Sequence, residues 1–352
     1  MRRQLAVLAA GWVLSVGAQA AESPGDWLAE MSKAARAANY EGVVVYRGGD
    51  VLETFRVTHR FADGAERERV QSMTGEVREV LKQNDKVTCL LPKDRRLTAK
   101  HPTTPKGLFQ SLSPARLEQI KTVYELRALG QSRVAGRVCR GIAIAPRDEF
   151  RYGYELWADE KTGVPLKLSL VAHDGKLLEQ MFFTEVSFPK QIADSAFVTD
   201  VPVDEAREST VVAADAIAQA HEREPVAEPS AVDAPGPQFS KLPPGFRVVR
   251  REISASPAGI REHLLLSDGL SAVSVYRVLR PAANAAATQR LDQMGPLNAY
   301  SRAVGQVQIT VVGEAPRRTI KMIGDNLQAE GASFTAQADA PTTAATPIVA
   351  PR

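Results

Sequence analysis

Short runs of β-forming residues, cut at regular intervals by turn pairs, constrain this chain more than any other feature. EGVVVYRG, DVLETFRVTHRF, AERERVQSM, EVREVLKQ, KVTCLLP and RRLTAK follow one another between residues 41 and 100. They are split by Gly49-Asp50, Asp63-Gly64, Thr74-Gly75, Asn84-Asp85 and Lys93-Asp94. Such pairs supply the backbone conformations that a chain reversal needs, so the pattern predicts an antiparallel meander. TPKGLFQSLSPARLEQI interrupts it, with Ser113-Pro114 opening a short helix. Strands resume in TVYELRALGQ, SRVAGRVCRGIAIAP, FRYGYELWAD, VPLKLSLVAH and KLLEQMFFTEVSF. A sheet of this many strands tends to curl towards a barrel.

One face of such a sheet needs a cover. DWLAEMSKAARAANY carries Trp27, Leu28, Met31, Ala34, Ala35 and Ala38 at helical spacing, after an N-cap and first-turn proline at Ser23-Pro24. This amphipathic helix is the expected lid, and a curled sheet under a helix can enclose an apolar space. The expected fold class is α+β, mostly antiparallel β, with an open half-barrel covered by helices over residues 21–200.

From 201 to 238 Pro, Ala and Glu dominate, as in VAEPSAVDAPGPQ, and the segment reads as an extended linker. A smaller antiparallel domain of four or five strands and a closing helix is expected over 239–330. At its centre lies HLLLSDGLSAVSVYR, whose Asp268-Gly269 pair suits a two-residue type I′ hairpin turn. In PRRTIKMIGDNL, Ile320, Ile323 and Leu327 share a helical face. The Ala-, Thr- and Pro-rich stretch over 331–352 reads as a disordered tail.

Residues 1–20 read as an export leader. Arg2 and Arg3 precede an apolar run from Leu5 to Val16, and Ala18-Gln19-Ala20 fits cleavage after Ala20. The run is short for a membrane anchor. Removing both arginines takes the formal net charge from +3 to +1, which leaves no concentrated basic surface for nucleic acid. Export also bears on Cys89 and Cys139. They either form a disulfide, worth about 4 kcal/mol by loop closure, or stay as two buried thiols.

Catalytic signatures are missing. There is no G-x-S-x-G, no H-E-x-x-H and no phosphate-binding glycine loop, and His59, His101, His173, His221 and His263 are scattered. No metal or cofactor is implied. The aromatic strands RYGYELWAD and QMFFTEVSF read either as core or as the lining of an apolar pocket. The candidate lining residues are Trp27, Met31, Val45, Phe55, Leu90, Leu108, Phe109, Tyr154, Trp157, Leu168 and Phe182.

WADEKTGVPLKLSLVAHDGKLLEQMFFTEVSF resembles the last strands of the lipoprotein-carrier (LolA/LppX-like) half-barrel. LPPGFRVV, HLLLSDGLSAVSVYR, ITVVGEAP and TIKMIGDNL, in that order behind a leader, resemble the RseB/MucB family of periplasmic regulators of the sigma-E pathway. The resemblance implies a periplasmic protein with no enzymatic activity. It would bind the periplasmic domain of a membrane-anchored anti-sigma factor (RseA/MucA-like) and shield it from regulated proteolysis. Lipid, lipoprotein or lipopolysaccharide signals would bias release. The hairpin would then help dock the partner through an exposed sheet edge, with Leu264 and Leu266 in the core and Leu265, Tyr276, Arg277 and Arg280 as candidate contacts. The alternatives are a periplasmic lipid or lipoprotein carrier and, less in keeping with the motifs, a hydrolase. Oligomeric state, including a homo-oligomer, is left open.

Overall fold

The computed structural model describes residues 23–75, 77–84, 86–90, 114–199, 238–256, 259–279 and 289–328. Helix α1 spans Pro24–Ala37. Ser23 caps it, its hydroxyl accepting from the Asp26 N–H at 3.2 Å. Asp26 in the first turn and Arg36 in the last complement the helix dipole. Trp27, Leu28 and Met31 form its buried stripe. Full burial of side chains this large contributes about 1.5–3 kcal/mol each.

The first sheet contains β1 (Tyr40–Gly48), β2 (Val51–Ala62), β3 (Ala65–Ser72), β4 (Glu79–Gln83), β5 (Lys86–Leu90), β6 (Tyr124–Val134), β7 (Arg137–Pro146), β8 (Gly153–Asp159), β9 (Pro165–Val171) and β10 (Leu177–Ser187). Their order is β5-β4-β3-β2-β1-β10-β9-β8-β7-β6. The single meander expected from the turn pairs is therefore two. The chain steps outward from β1 to one edge at β5, crosses to the opposite edge at β6, and steps back until β10 pairs with β1. Helix α2 (Pro114–Ile120) lies on the crossing segment. Among the described residues the sheet is open, with β5 and β6 as its edges.

Two adjoining cores fill the space beneath α1. One joins Trp27, Leu28 and Met31 with Leu117 and Ile120 of α2 and with Ile142, Ile144, Tyr154, Leu156 and Leu168 of the sheet. The other gathers Val44, Phe55, Val57, Val70, Val80, Leu166 and Phe183. After β10, a 3-10 turn at Asp194–Phe197 lies beside β3. Asp194 accepts from Arg60 and Arg67, and Phe197 lies under both guanidiniums.

The second sheet holds β11 (Arg247–Ser256), β12 (Gly259–Ser267), β13 (Ala272–Leu279), β14 (Arg290–Met294), β15 (Leu297–Val304) and β16 (Val307–Gly313), ordered β11-β12-β13-β16-β15-β14. Helix α3 (Arg317–Asn326) covers one face. Ile320, Ile323 and Leu327 pack on Leu264, Leu266, Val273, Val275, Tyr300, Ile309 and Val311. RLDQM supplies β14, at Arg290–Met294.

Asp159 closes the β8–β9 turn. It accepts from Arg137 at 2.8 and 3.1 Å and from the Thr162 hydroxyl and N–H at 2.8 and 3.0 Å. Burial alone would raise its pKa, but these bonds hold it below the ordinary aspartate value. A lowered folded pKa contributes stability that is present above the unfolded value and lost as pH falls through the folded one. Thermal melts between pH 6 and pH 2 should show the wild type losing its advantage over Asp159→Asn on acidification. A pH-independent difference between the two would contradict this role.

Candidate functional site at the domain junction

The hairpin of β12 and β13 does not offer an edge. β11 flanks one side and β16 the other, so both strands are paired twice. Its turn is also not the two-residue type I′ form. Ser267 pairs with Ala272, which leaves a four-residue loop, and Gly269 alone in that loop has positive φ, at 106°. The reason lies in the Asp268 side chain. Its Oδ1 accepts from the N–H groups of Leu270 at 2.9 Å and Ser271 at 2.7 Å, an Asx-type closure that sets a wider loop.

That loop points into the first domain. Asp268 Oδ2 accepts from Arg151 Nη1 at 2.7 Å and from the Tyr124 hydroxyl at 3.1 Å. Both charged side chains of the ion pair are 0% exposed. Arg151 also donates to Asp148 from Nε at 2.8 Å and Nη2 at 2.9 Å, and to the Pro244 carbonyl at 2.6 Å. The Tyr124 and Phe246 rings flank its guanidinium, with centroids 5.5 and 5.6 Å away. Burial pushes the Asp268 carboxyl up, against the pull of Arg151, two backbone amides and the Tyr124 hydroxyl. Four converging donors are the surroundings of an ionised carboxylate.

Polar contacts around the pair extend the seam. The Tyr152 hydroxyl lies 3.3 Å from the Pro296 carbonyl and accepts from Asn298 Nδ2 at 3.2 Å. The Thr319 hydroxyl donates to the Phe150 carbonyl at 2.6 Å, and Arg318 pairs with Glu149. Leu270 packs on the core that holds α1 and α2. Gly245 and Gly269, both at positive φ, come close enough to the first domain that a Cβ would sit 2.8 Å from Val123 and 2.9 Å from Ile120. Gly269→Ala combines a left-handed backbone with that clash. It should cost about 1–3 kcal/mol in chemical denaturation, with little change to either domain's circular dichroism.

The eleven candidate lining residues do not form one wall. Trp27, Met31, Tyr154 and Leu168 are buried together in one packed core, and Phe55 is buried in the adjoining one. Cross-strand register puts Val45, Phe182, Lys167 and Trp157 in a row. That row lies on the sheet face opposite Leu156, Leu168 and Met181, because neighbouring residues in a strand point to opposite sides. Val45, Phe182 and Trp157 are half-buried, and the Trp157 ring lies over Gly141. Leu108 and Phe109 lie outside the described residues, as does the side chain of Leu90. Cys139 is a free, buried thiol, and the Cys89 side chain lies outside the described residues. Burial, then Asp159, pushes the Cys139 thiol up to about 11, which keeps it protonated and unreactive.

Among the candidate partner contacts, Leu265 and Arg277 are interior, at 3% and 1% exposure. Arg277 belongs to the small domain's polar core. Its Nη1 donates to Glu262 Oε2 at 2.6 Å, while Arg251 donates to Oε1 at 2.6 Å. β12 and β13 register Glu262 opposite Arg277, which explains the pair. Tyr276 is half-buried and stacked on His263 at 4.5 Å, and Arg280 lies outside the described residues. Arg277→Glu would face one buried carboxylate with another. Chemical denaturation should show a loss of about 3–5 kcal/mol, the effect of an uncompensated buried charge.

Nothing in the sequence marks Arg151, Tyr124, Asn298 or Thr319 as a junction residue; Tyr152 reads there only as core or pocket lining, and Asp268 only as a turn former. Among the described residues no group of three or more His, Cys, Asp or Glu could hold a metal.

Residues 23–201 match the MucB/RseB N-terminal domain and residues 233–328 the MucB/RseB C-terminal domain. The chain is 30% identical over 348 residues to the sigma factor AlgU regulatory protein MucB of Pseudomonas aeruginosa, covering 95% of this chain and 99% of that protein. It is 25% identical over 334 residues to the sigma-E factor regulatory protein RseB of Escherichia coli K12, covering 90% and 94%. Among solved structures, the Pseudomonas aeruginosa MucA/MucB complex superposes with a TM-score of 0.67 at 28% identity, covering 88% of this chain and 99% of that one. A crystal structure of MucB gives 0.58 at 27% identity, covering 87% and 98%. The two matched domains and the similarity along nearly the whole length show that the chain belongs to the MucB/RseB family.

Proposed function

We propose that this chain is a periplasmic regulator that captures the periplasmic domain of a membrane-anchored anti-sigma factor. Capture shields that domain from regulated proteolysis and so restrains a sigma-E-type envelope stress response. The observation that carries the reading is the shared two-domain arrangement with MucB in complex with MucA, across most of both chains. Residues 1–20 serve as its export leader, with cleavage after Ala20. The protein acts by binding and not by turnover.

Isothermal titration of the mature protein with a purified MucA-like periplasmic domain should give a saturable one-to-one complex. The same complex should slow cleavage of that domain by its site-1 protease. No heat and no protection would reject the reading. Tyr276 remains the described candidate for a direct contact, because it lies on the face away from α3 and stacks on His263. Tyr276→Ala should weaken capture about tenfold, the loss of about 1.4 kcal/mol.

Release under lipid control is the second part of the proposal. A ligand shifts the complex only if it prefers the regulator's unbound form, and each buried methylene contributes about 0.8 kcal/mol. The packed side chains beneath α1 mean that an acyl chain would have to displace α1 or α2 to enter there. Titration with and without a soluble lipid A fragment tests this, and equal affinities for the partner would reject it.

A further inference from the structure

We propose that the loop Ser267–Ser271 is a latch through which α2 of the large domain sets the small domain's competence to hold its partner. The inference rests on the binding function proposed above, and its first readout needs no partner.

The geometry behind the latch is a shared seam. Ile120 ends α2 and is fully buried in the same core as Trp27 and Met31 of α1. It also meets the loop at Gly269, so closely that no Cβ fits between them. Four residues later, Tyr124 bonds Asp268. Val123, between them, abuts Gly245 where the chain enters β11. One short segment, 120–124, therefore touches the α1 core on one side and two small-domain loops on the other. Any displacement of α2 from α1 reaches Gly269 and Asp268 directly.

Arg151 makes the seam close in a single register. Its three donor nitrogens are committed to Asp148, Pro244 and Asp268 at once, and the Arg151 and Asp268 side chains are both fully buried. Partial separation takes the Asp268 and Pro244 acceptors from Arg151, and the Arg151 and Tyr124 donors from Asp268, before bulk water reaches them. Such a seam favours the open or the closed arrangement over intermediates. In the latch, the closed arrangement is the partner-holding form.

The test uses the full mature chain in three forms: wild type, Asp268→Asn, and the double variant Asp268→Asn with Arg151→Met. Hydrogen exchange at the Gly269, Leu270 and Ser271 amides and the small-angle scattering radius report closure. Titration with the MucA-like domain reports competence. Asp268→Asn should raise exchange of those amides at least tenfold, enlarge the radius, and weaken partner binding at least tenfold. The double variant, which removes the stranded guanidinium, should recover most of all three. Unchanged exchange and radius in Asp268→Asn would overturn the latch. Opening with undiminished affinity would overturn its link to the partner. If no form binds the partner, the function proposed above fails, and exchange and scattering still decide whether the latch exists. If Asp268→Asn does not fold, the same comparison is made with Tyr124→Phe, which removes one hydrogen bond to Asp268, and no opening in it would count against the latch.

Discussion

A buried ion pair between domains is a costly way to hold a protein together. Arg151 and Asp268 lose all contact with water, and the Coulomb attraction between two buried charges only roughly repays their desolvation. What makes the arrangement tenable is the completeness of its satisfaction. Arg151 also binds Asp148 and the Pro244 carbonyl, and lies beside two aromatic rings. Asp268 takes two backbone amides and a phenol besides the guanidinium. The rest of the junction follows from this point. With the loop fixed here, Leu270 enters the large domain's core, Tyr152 reaches Asn298, and Thr319 reaches Phe150. Apolar contacts alone would hold the domains with similar strength but in less determined register.

Much of the fold was legible in the sequence because its signals are local. Ser23 and Pro24 mark the start of α1 by capping chemistry, and the Trp27–Met31 stripe names its buried side. Turn pairs such as Gly49-Asp50 and Asp63-Gly64 fall between strands because glycine there adopts positive φ. Ile320, Ile323 and Leu327 state which face of α3 is covered. What could not be read was the pairing of β1 with β10 and the jump from β5 to β6. Alternation and turn residues fix what each strand is, while strand order depends on contacts far apart in sequence.

The candidate site was less legible for the same reason. Asp268 was visible as a turn residue, and its second oxygen does the work that the turn signal cannot report. Arg151 stands beside Tyr152 and Gly153 in an aromatic strand segment, with nothing nearby to announce a partner 117 residues away. Arg277 misled in the opposite direction. An arginine late in a hairpin reads as surface, and only the register that sets it opposite Glu262 shows why it is interior. The lining residues were selected for size and type, whereas strand parity divides them. Trp157 and Phe182 share one face with Lys167, and Leu168 faces the core under α1.

Packing beneath α1 and docking at the junction draw on the same residues, and that economy has a thermodynamic consequence. Ile120 and Tyr124 are both fully buried, and each belongs to the large domain's core while touching the small domain. A molecule that gains free energy by replacing part of that core must alter contacts that also hold the loop. Linkage requires reciprocity: whatever such a molecule does to the junction, closing the junction does in equal measure to its affinity. In a family whose relatives are named as regulators, a shared core of this kind needs no separate wire between the two domains. The seam itself is where the two equilibria meet.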